Sequence, residues 1–361
     1  SKWTKLNFKK NKIIPYLKTP EIISILVMLK AQVLEYIWLD ANQNFRSKVK
    51  VNQGKEYNLD DISTIPVWNY DGSSTGQAEI QDSEVLLQPK RVYTNSILTN
   101  FPVLVLCDTY NPKTDLRSSH YEAEKIFKKY EANQPMFGLE QEFFMFNSKD
   151  KNEIPEKKME VAAHGEYYCG LGPQCSRTRR YLLDVMYTAI QLGIKVTGMN
   201  YEVAPGQAEL QVCNIGLDAC YDLLMVRYLL TRLGENYNIV PNFEPKILND
   251  ENGSGCHINF STLEMRNFKD TKELHKMIHS MCQNLEKHHN TFIDKYYGSG
   301  NKERLSGTCE TCSYQEFKVK KGGRNASIRV PNEGNYFEDR RPSSNIDPYL
   351  ACSKLLECVM Q

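Results

Sequence analysis

Apolar and polar positions follow different rhythms along this chain. Ile22 to Leu34 carries apolar residues at helical spacing and predicts a helix handing over to a short strand, Glu35 to Asp40. Further strands are predicted around Ser47 to Val51, Val85 to Pro89 and Val103 to Cys107, with a turn-rich segment from Trp68 to Gly76 between them. From Ser118 the rhythm changes. Ser118 or Ser119 can cap a helix running to about Asn133, with Glu122 and Glu124 in its first turn. Phe137 to Phe146 predicts a deep strand, followed by a Lys/Glu-rich polar excursion from Ser148 to Lys158. Arg180 to Leu192 predicts a helix closed by Gly193, and Val196 to Cys213 a hairpin bent at Pro205-Gly206. Helices are then expected over Asp218 to Glu235 and Asp270 to Lys295. Strands and helices are mixed rather than alternating, so the fold class is α+β. A small β-rich unit ends near Lys113 to Arg117, giving segments 1–29, 30–115 and 116–361.

Composition narrows the function classes. The 361 residues are 41% hydrophobic and 25% charged with net charge +1, which offers no basic excess for nucleic acid. Six lysines before residue 19 read as a solvated tail. The most apolar run, Ile22 to Leu29, has eight residues, against the ~20 needed to span a bilayer. No small-residue cleavage site follows it, so a cytoplasmic address is the expectation and an organellar one stays open. Eleven cysteines scattered through apolar stretches read as reduced, buried thiols. Cys309-Glu-Thr-Cys312 is the one Cys-x-x-Cys; it lacks the second pair of a zinc site, and a redox pair stays open without being favoured.

Carboxylates in apolar strands carry the chemistry. Glu140 and Glu142, two apart, share one strand face with Gln141 opposite. Glu202 and Glu209 flank the Pro-Gly bend and can approach one point from two arms. Buried carboxylates are costly unless paired, and several hard oxygen donors suit Mg²⁺ or Mn²⁺; salt-bridged core acids and solvent-facing acids are the alternatives. Asn252 to Ser261 joins a glycine-rich turn to a strand carrying His257, and without a lysine at the right place it is no P-loop. Five of fourteen arginines follow residue 300: Arg304, Arg324, Arg329, Arg340 and Arg341. Guanidinium forks grip phosphate and carboxylate, so an acid such as Glu338 beside them fits a metal–phosphate site. His275 and His279 read as solvated, and His288 and His289 earn no role.

Eight segments, in order, resemble the eukaryotic type of glutamine synthetase. They include Trp68-Asn-Tyr-Asp-Gly-Ser-Ser-Thr-Gly76, Phe137-Gly-Leu-Glu-Gln-Glu142, Glu202-Val-Ala-Pro-Gly-Gln-Ala-Glu209, Asn252-Gly-Ser-Gly-Cys-His257 and Tyr336-Phe-Glu-Asp-Arg-Arg-Pro-Ser343. The resemblance implies a small N-terminal β-grasp domain and a larger catalytic domain built on a curved antiparallel sheet flanked by helices. It implies ATP-dependent ligation of ammonia to glutamate through γ-glutamyl phosphate, in a homodecamer of two pentameric rings whose sites lie between subunits. By the same resemblance, Glu140, His257 and Glu338 hold one Mg²⁺ or Mn²⁺, and Glu142, Glu202 and Glu209 another. Glu140, Glu209, Asn259, Ser261, Arg324, Arg329 and Tyr336 would face metal and nucleotide. Asn252, Gly253, His257, Arg304, Arg324 and Arg340 would face glutamate. Asp71 matches the ammonium-binding acid and Glu310 the acid of a closing flap, with Arg324 and Arg340 completing the catalytic set. The chain departs from the family pattern at Met136, Ala208, Leu210, Asp250, Glu251, Cys309, Gly323 and Asn325. A γ-glutamyl ligase using another amine, and a silent structural relative, are the alternatives; Asp71 and Glu310 favour ammonia.

Overall fold

Both faces of β1 (Ala31–Leu39) are buried from Leu34 to Trp38, so that stretch lacks the alternation of a half-exposed strand. The helical reading of Ile22 to Leu34 fails for Ala31 to Leu34, which are strand paired with Lys50 to Gln53; the earlier part of that expectation lies outside the described residues. The computed structural model describes residues 31–54, 56–94, 102–149, 167–172, 176–248 and 252–361. β1 turns back into β2 (Phe45–Gln53) and pairs in parallel with β5 (Val103–Asn111). With β3 (Trp68–Asp71), β4 (Glu84–Tyr93) and β6 (Leu116–Arg117) they form a six-stranded sheet of order β2-β1-β5-β4-β3, β6 pairing with β5. The parallel pair between antiparallel neighbours is the arrangement expected of a β-grasp layer.

Alternation divides this sheet's contacts. Leu34, Tyr36, Trp38, Val105 and Cys107 pack with Ile65 and Tyr70 in a small cluster of their own. Ile37, Tyr93, Leu104 and Leu106 point the other way and join the main core. Tyr228 Oη also crosses to this layer, donating to Glu35 Oε1 at 2.8 Å.

The main core lies between helices and a second, eight-stranded sheet. α1 (Ser119–Lys129) is capped by the Ser118 side chain, with Glu122 in its first turn and Glu124 beyond it; a separate short turn covers Glu131–Asn133. After it come β7 (Met136–Asn147), α2 (Ser176–Gln191), β8 (Val196–Tyr201), β9 (Gln207–Ile215) and α3 (Leu217–Tyr237). β10 (Ile239–Asn242), β11 (Cys256–Ser261), α4 (Thr271–Lys287), β12 (Val319–Lys321), β13 (Ile328–Val330), β14 (Phe337–Asp339) and α5 (Pro348–Val359) complete it. The sheet order is β12-β13-β14-β11-β7-β9-β8, with β10 also on β7. Only β12 and β13 pair in parallel.

α4 breaks at His288, and helical structure resumes as a short turn, His289–Thr291, and a π-helical stretch, Phe292–Tyr296, so the helix expected to Lys295 is present with an interruption. His289, given no role by the sequence, is buried there: one ring nitrogen lies 2.9 Å from the Tyr314 carbonyl and the other 3.2 Å from Arg341 Nη1. Arg341 is itself held by Asp339, so this cluster ties the chain after α4 to β14. His275 and His279 are exposed, as expected. The polar excursion beyond Lys149, and Asp250 and Glu251, lie outside the described residues. Among the described residues no helix is long and apolar enough to cross a membrane.

Candidate active site

β7 runs through the middle of the larger sheet, and strand register does the assembling. Glu140 lies opposite His257 of β11, and Glu142 lies opposite Glu209 of β9. Glu202 follows β8 and returns through the Pro205-Gly206 bend, where Gly206 takes φ +71°, a left-handed value that glycine adopts without steric cost. The Glu202 N–H donates to the Gln207 carbonyl at 2.9 Å. The bend therefore places Glu202 beside Glu209, as the hairpin predicts. Gln141 points to the opposite side, as alternation requires.

Two carboxylate groups result. Glu140, Glu209 and His257 offer ligand atoms within 4.8 Å of one another, and so do Glu142, Glu202 and Glu209. Glu209 belongs to both. Among the described residues, no lysine or arginine forms an ion pair with Glu142, Glu202 or Glu209. Burial, compounded by Glu202 and Glu209, pushes the Glu142 carboxyl well up. Burial and the Glu140 charge raise Glu209 to about 8, and burial raises Glu202 as well. Burial also raises Glu140, but hydrogen bonds from His257 and Asn259 outweigh it and hold that carboxyl at about 2. His257 is lowered by burial and by the Arg340 charge, which keeps its imidazole neutral and suited to ligation. Carboxyls whose ionisation is held back until a cation arrives, plus one neutral imidazole, fit a divalent metal.

Neutral donors aim these carboxylates. Asn200 Nδ2 donates to Glu202 at 2.9 Å, Asn259 Nδ2 to Glu140 at 2.8 Å, and Gln211 Nε2 to Glu209. The glycine loop contributes a backbone donor: the Gly255 N–H is donated to Glu142 Oε2 at 2.6 Å. A Cβ on Gly255 would stand 2.9 Å from both His257 Nε2 and Arg304 Nη1, so only glycine admits the two side chains.

Glu338 stands apart from these groups. Its two oxygens accept from Arg329 Nη1 at 2.7 Å and Arg340 Nη1 at 2.5 Å, and His257 Nδ1 is 3.7 Å away. Arg304 spends its Nη2 on the carbonyls of Arg340, Arg341 and Pro342 and its Nε on Asn301. It holds the backbone that carries Arg340 while still lining the pocket.

That pocket, a cavity of about 270 Å³, is lined by Glu140, Glu142, Glu202, Glu209, Asn252, Gly253, His257, Arg304, Glu310, Arg324 and Arg340 among others. Acids and guanidinium groups line the same cavity, a combination able to bring an anion and a metal together. A sequence profile for the catalytic domain of glutamine synthetase matches residues 113–361. The chain belongs to the glutamine synthetase family.

Full-length relatives agree. The chain is 40% identical over 339 residues to a putative glutamine synthetase of Acanthamoeba polyphaga mimivirus, covering 91% of this chain and 94% of the relative. It is 39% identical over 338 residues to glutamine synthetase of Saccharomyces cerevisiae, covering 91% and 89%. It is also 39% identical over 339 residues to glutamine synthetase cytosolic isozyme 2 of Glycine max, covering 90% and 93%.

Other residues expected in a glutamine synthetase site lie outside this cavity's wall. Ser261 receives Arg266 Nη1 at 3.1 Å, while Arg329 and Tyr336 sit on the Glu338 side. Asp71 is at the exposed end of β3, where hydroxyls of Ser73 and Ser74 hold its carboxyl at about 2. Sequence reasoning missed Asn200 and Gln211, although each lies two positions from a carboxylate on the same strand face.

Proposed function

We propose that this chain is a glutamate–ammonia ligase: it uses ATP to activate L-glutamate as γ-glutamyl phosphate and lets ammonia displace the phosphate. The observation that carries this reading is the pocket itself, lined by metal-suited carboxylates together with Arg304, Arg324 and Arg340. Glu140, Glu209 and His257 would hold one divalent ion and Glu142, Glu202 and Glu209 another. Bound Mg²⁺ or Mn²⁺ would supply Lewis-acid neutralisation of phosphoryl oxygens.

The chain's own side chains do the rest. Arg324 is exposed at the pocket and free of the Glu338 contact, which suits it to a transferring phosphoryl group. Arg340, buried beside it, suits the substrate carboxylate, and Asn252 and Gly253 line the neighbouring wall. Glu338 can join His257 and Glu140 as a ligand only if one of its two guanidinium partners turns away. Glu310 lines the mouth, where it can draw ammonium in and accept its proton.

Asp71 would do the same from a neighbouring subunit, which makes an oligomer with shared sites, a decamer of two pentameric rings, the assembly proposed. A small β-grasp unit over residues 30–115 and a catalytic unit over 116–361 suit that division. A cytoplasmic location rests on its reduced, mostly buried thiols. The test is phosphate release with ATP, glutamate and ammonium, each omitted in turn. Turnover that ignores ammonium and returns with a larger amine would replace this reading with a different γ-glutamyl ligase.

A further inference from the structure

The loop that carries Glu310 into the pocket has an unusual tip. Its arms are joined by the Tyr314 N–H donating to the Leu305 carbonyl at 2.9 Å and by a bridge between Ser306 and Ser313. At the tip the Thr311 N–H donates to the Thr308 carbonyl at 3.1 Å, closing a tight turn. Both central residues are left-handed, Cys309 at φ +49° and Glu310 at φ +60°. Residues with a Cβ resist that conformation, so contacts must hold it. Thr311 Oγ1 donates to the carbonyls of Thr308 and Arg304, at 2.7 and 3.3 Å, and Arg340 Nη2 reaches the Glu310 carbonyl at 3.5 Å.

Two thiols bracket the acid. Cys309 is half-buried and lines the pocket, while Cys312 is buried with Sγ on the Glu316 carbonyl at 3.7 Å. Both are free thiols, and the ligase chemistry uses neither. The other cysteines of the sequence include no second pair separated by two residues. Here the spacing coincides with a chain reversal, one partly accessible thiol and a buried second thiol three residues on, which suits a dithiol switch.

We infer that Cys309 and Cys312 form a thiol–disulfide switch on the Glu310 loop, oxidised by a small disulfide of the glutathione type. Cys309 Sγ attacks the small disulfide and expels one small thiol. Cys312 Sγ then attacks the mixed disulfide and expels the second. Two protein thiols lose two electrons and two protons, and one small disulfide becomes two small thiols. Bridging draws Cys309 out of the pocket wall and Cys312 off the Glu316 carbonyl, turning Glu310 between them. The loop is then tied at the point where it must adjust over the reactants. The consequence for turnover rests on the ligase reading; the thiol chemistry does not.

The test equilibrates the full-length oligomer in glutathione buffers of increasing oxidised fraction, then alkylates free thiols and digests with trypsin. Cleavage after Arg304 and Lys318 releases a peptide whose only cysteines are Cys309 and Cys312. As this peptide loses both alkylation sites, ammonium-dependent phosphate release should fall about tenfold or more, as when a closing loop is restrained. Dithiothreitol should restore both together. The Cys312→Ser variant should stop at a glutathione adduct on Cys309 without a bridge. Two alkylated cysteines in inactivated enzyme, a bridge that leaves turnover unchanged, or no bridge at the most oxidising ratio would each overturn the switch. Reduced enzyme without ammonium-dependent turnover would instead sink the ligase reading and leave the thiol result standing.

Discussion

Arg227 Nε donates to Oε1 of Gln141 at 2.6 Å, on the side of β7 away from Glu140 and Glu142. The same guanidinium donates to the carbonyls of Ile346 and Ser344, and Gln141 Nε2 reaches the Ser344 carbonyl and hydroxyl. Ser344 Oγ in turn donates to the Glu142 carbonyl. The strand bearing two pocket acids is thus clamped from behind by a buried cation. Arg227→Leu leaves several buried acceptors unpaired and should cost about 3 kcal/mol or more in urea unfolding. Stability within about 0.5 kcal/mol of wild type would show that the clamp contributes little.

Glu209 and Glu338 should respond differently to neutralisation. Glu209 belongs to both carboxylate groups, whereas Glu338 is already paired with two arginines. Glu209→Gln should lower turnover by more than the about 10–100-fold typical of losing an outer partner of a metal ligand. Glu338→Gln should weaken Mn²⁺ binding less, as read by calorimetry, while freeing Arg329 and Arg340. Equal losses of Mn²⁺ affinity in the two variants would undo this ranking.

Metal affinity should rise with pH. The metal-free fold raises Glu209 from 4.5 to about 8, so below that pH a metal must displace its proton. Titration of Mn²⁺ between pH 6 and 8 should show proton uptake by the buffer and affinity rising by up to about tenfold per pH unit. Stability of the metal-free protein runs the other way. Its raised carboxyl stays protonated when the unfolded one has ionised, so stability present below pH 4.5 is lost as pH climbs towards 8. Saturating Mg²⁺ should flatten that decline in melting temperature. A decline identical with and without metal would contradict the proposed ligand set.

Shared sites can be tested by mixing defects. Glu140→Ala should abolish turnover while leaving the melting profile cooperative, and Asp71→Asn should also be inactive. If Asp71 serves the neighbouring pocket, oligomers reassembled from the two variants recover roughly a quarter of wild-type activity, the share of pockets with both wild-type parts. No recovery in mixed oligomers of two inactive variants would assign Asp71 to its own subunit's pocket, and an active Asp71→Asn would place it outside the site.

Much of the site is legible because strand periodicity is local. Glu140, Gln141 and Glu142 reveal their faces without any knowledge of the fold, and Pro205-Gly206 announces the bend that joins Glu202 to Glu209. Partners distant in sequence are not legible in the same way. Arg227 lies 86 residues from Gln141, and nothing near either residue marks the other. Asn200 and Gln211 offered a signal of spacing that uncharged amides make easy to overlook. The pairing of Glu338 with both Arg329 and Arg340 depends on three side chains meeting, which composition alone leaves open. Ala31 to Leu34 are strand through pairing with Lys50 to Gln53, a contact that local apolar spacing does not show.

Ile37, Leu104 and Leu106 sit in the main core although they belong to the smaller sheet, and Tyr228 is fastened to Glu35. Peeling that sheet away would expose the apolar flank of the larger layer, so neither layer opens cheaply by itself. Amide hydrogens of β1 and β5 should therefore exchange at the rate of global unfolding, alongside those of β7, and proteases should find no half-folded species to trim. A defect in one layer is felt as the loss of the whole molecule.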